Sequence, residues 1–188
     1  QDIIDAISHA GSVIQGARVL GVEPDKDYNR TVLTIAGEPK AVSDAAFEVI
    51  KAAFEHIDMR IHEGEHPRIG AVDVCPFVPL QGVTMDECVQ LSKELALRVS
   101  NELLLPTFLY GAASSSQERE LLSDLRKGQY EGFKDRLDNG GPLLPDYGPK
   151  EWNENVAKFG AVVIGARKIL VAYNVNVAEK DAKTAKYA

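Results

Sequence analysis

An α+β fold, with helices covering one face of a mostly antiparallel sheet, is what this sequence predicts, and three observations predict it. Short runs rich in β-branched and aromatic residues alternate with long helical patterns. One of those helical patterns carries a single apolar stripe, and another opens on a capping box. The chain then closes on two strand patterns separated by a tight turn. A doubly wound parallel sheet is the alternative. No Gly-x-Gly-x-x-Gly follows a strand pattern, since Gly160 to Gly165 lies inside one, which argues against a dinucleotide site.

Taken in order, residues 2–15 read as a short helix, followed by strands at 17–22 and 31–36 around a polar loop at 23–29 that could wall a site. Over 40–57, Phe47, Ile50, Phe54 and Ile57 recur at three- and four-residue steps, a helix with one core-facing side. Residues 71–80 form a strand in which Pro76 and Pro79 lack backbone donors, placing its far end at a sheet edge or bulge. Thr84 with Glu87 is the capping box that opens a long helix to about residue 104. A buried strand at 107–110, a helix at 118–127 and a helical turn at 129–137 follow. Residues 138–160 are rich in Gly, Pro and Asn and contain Trp152; a loop of that length in a compact domain is usually functional or mobile. Strands at 161–165 and 169–177, joined at Ala166 and Arg167, lead to a polar tail at 178–188.

With 188 residues, 45% hydrophobic and 26% charged, the chain has the composition of one soluble domain with a real core. A formal charge of −7 argues against nucleic acid or an anionic membrane surface as the main partner. An anionic small ligand would need a local basic cluster, for which Arg30, Arg68, Arg167 and Lys168 are the candidates. Each is equally readable as half of a surface ion pair. Apolar runs fall short of membrane-spanning length, and the first residues lack the pattern of a secretory signal. Cys75 and Cys88 match neither a metal knuckle nor a redox pair, which fits a reduced, cytoplasmic protein.

The densest chemistry lies at residues 62–77, where a polar loop runs into an apolar strand. His62, Glu63 and His66 spell the zinc-protease pattern His-Glu-x-x-His, but that motif requires a helix to aim both imidazoles at one metal. Gly64 sits in its middle, and Pro67 drives His66 toward extended backbone, so no metal is expected. What remains is His66, with Arg68 two residues on and Asp73 behind it. An imidazole titrates near neutrality and can take up and return a proton in one turnover, making His66 the acid–base candidate.

The stretch from Gly64 to Gly70, with Asp73-Val74-Cys75-Pro76-Phe77, resembles the N-terminal subdomain of glutamate formiminotransferases. So do Asn29-Arg30-Thr31-Val32, Phe108-Leu109-Tyr110-Gly111, Asp146-Tyr147-Gly148-Pro149, Gly165-Ala166-Arg167-Lys168 and Ala172-Tyr173-Asn174-Val175-Asn176, in the family's order over nearly the whole chain. The resemblance implies a ferredoxin-like two-layer subdomain over residues 1–177, pairing with a second, similar subdomain, and a homodimer. It implies transfer of a formimino group from N-formimino-L-glutamate to N5 of tetrahydrofolate in histidine breakdown, with tetrahydrofolate as co-substrate. The family's catalytic histidine falls on His66, and its folate loop on 148–160, making Gly148, Pro149, Trp152 and Gly160 folate candidates. Arg30, Arg68, Arg167 and Glu23 are the substrate candidates, Glu23 standing where the family is expected to carry Asp. The family's first strand is expected ahead of residue 1 and its second subdomain beyond the tail. A non-catalytic folate-binding subdomain is the alternative function, and Trp152 is equally readable as an apolar anchor.

Overall fold

A computed structural model describes residues 1–140 and 143–170. Helix α1 (Asp2–Ser12) leads into strands β1 (Ala17–Asp25) and β2 (Arg30–Gly37), then α2 (Pro39–His56), β3 (Val74–Phe77), α3 (Met85–Glu102) and β4 (Thr107–Gly111). Three short helices, α4 (Leu122–Leu125), α5 (Phe133–Asn139) and α6 (Glu154–Phe159), precede β5 (Val162–Ala166).

The sheet is not mostly antiparallel. Among the described residues β1 and β2 form an antiparallel pair, and β3, β5 and β4 form a separate sheet in that order, parallel at both pairings. The α+β class holds, while the described strands do not by themselves establish the expected ferredoxin-like two-layer sandwich. The closing hairpin, the main reason to expect antiparallel pairing, has no edge to use: β5 is flanked on one side by β3 and on the other by β4. Residues 171–177 of that predicted strand lie outside the described residues.

Helices also cover both faces rather than one. Side chains alternate along a strand, so Leu109, Val162 and Ile164 point into a core with Phe47 and Ile50 of α2 and Leu95 and Val99 of α3. Phe108, Tyr110 and Val163 point the other way, onto Leu125, Phe133 and Val156 from α4, α5 and α6. Reversal of direction explains this: the β3-to-β4 crossover carries α3 past β5, the β4-to-β5 crossover returns, and a right-handed hand for both puts their helices on opposite faces.

Several local expectations hold. Thr84 Oγ1 accepts from the Glu87 amide at 3.2 Å while Glu87 Oε2 accepts from the Thr84 amide at 2.7 Å, closing the capping box of α3, a feature worth about 1 kcal/mol. Pro76 lies in β3, among the described residues an edge strand that tolerates its missing donor. The predicted helix at 118–127 is a 3-10 turn, Gln117–Arg119, and then α4. The long loop contains a helix that was not expected: Asn153 Oδ1 caps α6 by accepting from the Val156 amide at 3.0 Å. No helix among the described residues is long and apolar enough to cross a membrane.

Candidate functional site

His66 lies on the segment joining α2 to β3, and residues 62–66 are not helical. Three sets of contacts fix that segment. The first is the tip of the β1–β2 hairpin, shaped by Asp25, whose Oδ1 accepts from the amides of Asp27 (3.0 Å) and Tyr28 (3.1 Å), and by Asn29 in the left-handed region at φ 47°. Asn29 Nδ2 donates to the Glu63 carbonyl at 2.5 Å, and His62 Nε2 lies 3.3 Å from the Asn29 carbonyl. Gly64 makes the approach possible, since a Cβ there would stand 2.7 Å from the Tyr28 carbonyl oxygen and 2.8 Å from the Asn29 Cβ.

The second is Arg68, only 8% exposed. Its guanidinium grips Glu131 with both ends, Nη1 to Oε2 at 3.0 Å and Nη2 to Oε1 at 2.7 Å, and also donates to the His62 carbonyl at 3.2 Å. The bidentate match holds the Glu131 carboxyl below the usual carboxylate range. The third is Asp73, one residue ahead of β3. Its Oδ1 accepts from the Ile69 amide at 3.1 Å and from Arg126 Nε at 3.2 Å, while Oδ2 pairs with Arg126 Nη2.

The imidazole itself is partly open. Its ring meets Tyr28 edge-on at 6.3 Å between centroids, and the Arg30 guanidinium lies 5.9 Å from the same Tyr28 ring. Burial, then the positive charges of Arg126 and Arg30, lower the His66 pKa from its ordinary value, and Asp73 opposes them in part. The ring is therefore mostly neutral at pH 7 and able to accept a proton.

The remaining candidates scatter. Arg30, on β2 beside Tyr28, is exposed and close enough to act on His66. Arg167, just past β5, donates to the Lys168 carbonyl at 3.1 Å, and its positive charge lies close enough to act on the Tyr110 hydroxyl. Arg68 is committed to Glu131 and braces the loop. An open cavity of about 480 Å³ lies against Arg68, His62 and Glu131. Glu23 is not in a loop: β1 extends past it, pairing it with Val32. Gly160 packs on Ile69 and Gly70 at φ 79°, three to four residues beyond His66. Gly148, at φ 84°, packs instead on Leu105 and Pro106 where β4 begins, and Pro149 follows it, half-buried. Trp152 lies 5.9 Å from the Tyr130 ring and 6.2 Å from that of Phe133, joined to the core under α5.

Two residues were not singled out from sequence. Arg126 belongs beside His66 but is brought there by a pairing 53 residues long, invisible to any local pattern. Asp146 stitches the 143–153 segment to β4, taking the Leu109 amide (2.8 Å), the Ser115 hydroxyl (2.7 Å) and Arg119 Nη1 (2.8 Å). Its place in the Asp-Tyr-Gly-Pro run was the available signal.

A family model described as the formiminotransferase domain, N-terminal subdomain, matches residues 1–167. A formimidoyltransferase-cyclodeaminase of Dictyostelium discoideum is 48% identical over 177 residues, which are 94% of this chain and 32% of that protein. The protein of the same name from Rattus norvegicus is 44% identical over the same shares. A glutamate formimidoyltransferase of Streptococcus pyogenes serotype M1 is 42% identical over 94% of this chain and 58% of its own length. The chain thus spans between about a third and three fifths of these relatives.

Proposed function

The chain belongs to the formiminotransferase family, matching its N-terminal subdomain, and from that premise we propose that it serves formimino transfer from N-formimino-L-glutamate to tetrahydrofolate, with His66 as general acid and base. The observation that carries this reading is a half-buried imidazole on a loop braced by the Asp73 and Arg68 contacts, in surroundings that lower its pKa. N5 of tetrahydrofolate attacks the formimino carbon and forms a new C–N bond. His66 takes the proton that N5 must shed from the tetrahedral adduct and returns it to the glutamate nitrogen, whose bond to carbon then breaks. L-glutamate and 5-formiminotetrahydrofolate leave, and the histidine ends as it began. Holding both substrates in line supplies much of the remaining acceleration.

Arg30 and Arg167 are the arginines best placed to hold substrate carboxylates, Arg30 beside His66 and Arg167 at the end of β5. Arg68 supports the reading as a brace, and Glu23 as a hairpin residue on the strand leading to Tyr28. The folate lies along 148–160 in this reading, touching Gly148, Pro149, Trp152 and Gly160. A second subdomain pairing with this one, a homodimer and a cytoplasmic location complete it; the greater length of the relatives supports the first and the unpaired cysteines the last.

Because the chain spans only part of its relatives, folate binding without transfer is the second reading. Tetrahydrofolate titrated against Trp152 fluorescence, followed by addition of N-formimino-L-glutamate, separates them. The proposal expects a fluorescence change and then product; binding with no product favours the second reading, and no binding by folded protein overturns both.

A further inference from the structure

Behind the catalytic loop stands a charged pair that the mechanism above does not use. Asp73 sits at the junction of loop and sheet, its side chain only 13% exposed and that of Arg126 18%. One carboxylate does two jobs there. Oδ1 receives the Ile69 amide, three residues from His66, and both oxygens receive the Arg126 guanidinium, which arrives from the end of α4. The backbone on either side is immobilised independently: the Asp73 carbonyl accepts from the Val163 amide of β5 at 3.1 Å, and the Arg68 carbonyl accepts from the Tyr130 amide at 2.9 Å. A five-residue arc from Ile69 to Asp73 is thereby closed on itself and tied to the sheet, with Gly70 seated between Phe159 and Ala161, where a Cβ would strike backbone.

We propose that Asp73 and Arg126 are positioning residues for His66, the carboxylate clamping the backbone that carries the imidazole and the guanidinium bringing a fixed positive charge up to it. The inference rests on His66 being the acid–base group. Three charged groups act on that ring from the elements around it: Arg126 from the end of α4, Arg30 from β2 and Asp73 from the start of β3; the Tyr28 ring covers one edge. Arg126 is the largest of the charges and works against protonation, while Asp73 works for it. Their mutual pairing ties the carboxylate that clamps the loop to the guanidinium whose charge acts on the imidazole, so one contact couples the loop's geometry to part of the ring's electrostatic surroundings. A guanidinium suits the task because it bonds both carboxylate oxygens at once and never deprotonates.

The test is an NMR pH titration of the His66 ring in the full chain, wild type against Arg126→Gln and Arg126→Lys, alongside formimino transfer by each. The proposal expects the His66 midpoint to move upward in Arg126→Gln and to return toward the wild-type value in Arg126→Lys. Transfer is expected to fall at least about tenfold in Arg126→Gln, since a displaced base loses alignment. An unmoved midpoint in folded Arg126→Gln overturns the proposal. In the wild type, rapid exchange of the Ile69 amide, which the Asp73 bond should protect, overturns it independently of any variant. Loss of transfer in the wild type with the expected midpoints would contradict the transferase reading while leaving the pair established.

Discussion

Replacing Asp146 with alanine should destabilise the protein severely, and its contacts give the scale of the loss. Its carboxylate meets the Leu109 amide, the Ser115 hydroxyl and Arg119 Nη1 within 2.8 Å, and both Asp146 and Arg119 side chains are 11% exposed. Arg119 Nη2 also reaches the Leu144 carbonyl at 2.6 Å, so the same guanidinium spans the 143–153 segment and the turn after β4. Alanine takes a carboxylate from a mostly buried cation, which costs about 3–5 kcal/mol. It also leaves a buried amide without its acceptor, by itself about 1–3 kcal/mol. The two losses share one network and overlap, so the total stays near about 3–5 kcal/mol. Asp146→Asn keeps an acceptor for Leu109 and loses only the charge, for about 1–3 kcal/mol. Against a typical stability of about 5–15 kcal/mol, both are measurable, and alanine is expected to cost more than asparagine. Urea unfolding followed by circular dichroism and by Trp152 fluorescence measures both. Alanine within about 0.5 kcal/mol of wild type would refute the reasoning, since that is the range of an inert surface change.

Three further outcomes are expected. The kcat/KM for transfer should be flat through neutral pH and fall only as pH drops below the ordinary imidazole value, because protonating a base whose pKa is lowered needs a lower pH; a fall beginning above pH 7 would contradict the environment of His66. Gly165→Ala should destabilise by about 1–3 kcal/mol through overpacking, because its Cβ would strike the Tyr110 ring and carbonyl, and thermal melts with near-ultraviolet spectra report it. Burial pushes the Cys75 thiol up to about 12, so it should resist a disulfide reagent at pH 8 in the native protein and react on unfolding; fast native labelling at Cys75 would contradict this.

Where chemistry was local, the sequence was legible. The stripe through Phe47 and Ile50 placed α2, the Thr84–Glu87 reciprocity placed the start of α3, and Pro76 marked an edge strand. Pro67 and Gly64 were enough to reject a helical histidine pair. Strand partnership was not local. Nothing in the apolar run at 161–165 says that both its edges are taken by parallel strands, and two adjacent strand patterns invite a hairpin reading. The short helix α6 was hidden because six residues give too few turns for a period to show, although Asn153 with Val156 and Phe159 carried the cap and spacing. The nearness of Asp73 to His66 was readable from one loop, while that of Arg126 was not, since its neighbours in sequence give no reason to bring it there.

The most direct test of the central claim is the rate of formimino transfer from N-formimino-L-glutamate to tetrahydrofolate by the protein and by His66→Ala at saturating substrates. A side chain that moves the reaction's proton is worth about 10²–10⁴-fold. A loss of that size, with tetrahydrofolate binding and melting temperature retained, is the predicted result. A folded His66→Ala protein that transfers at the wild-type rate would contradict the account.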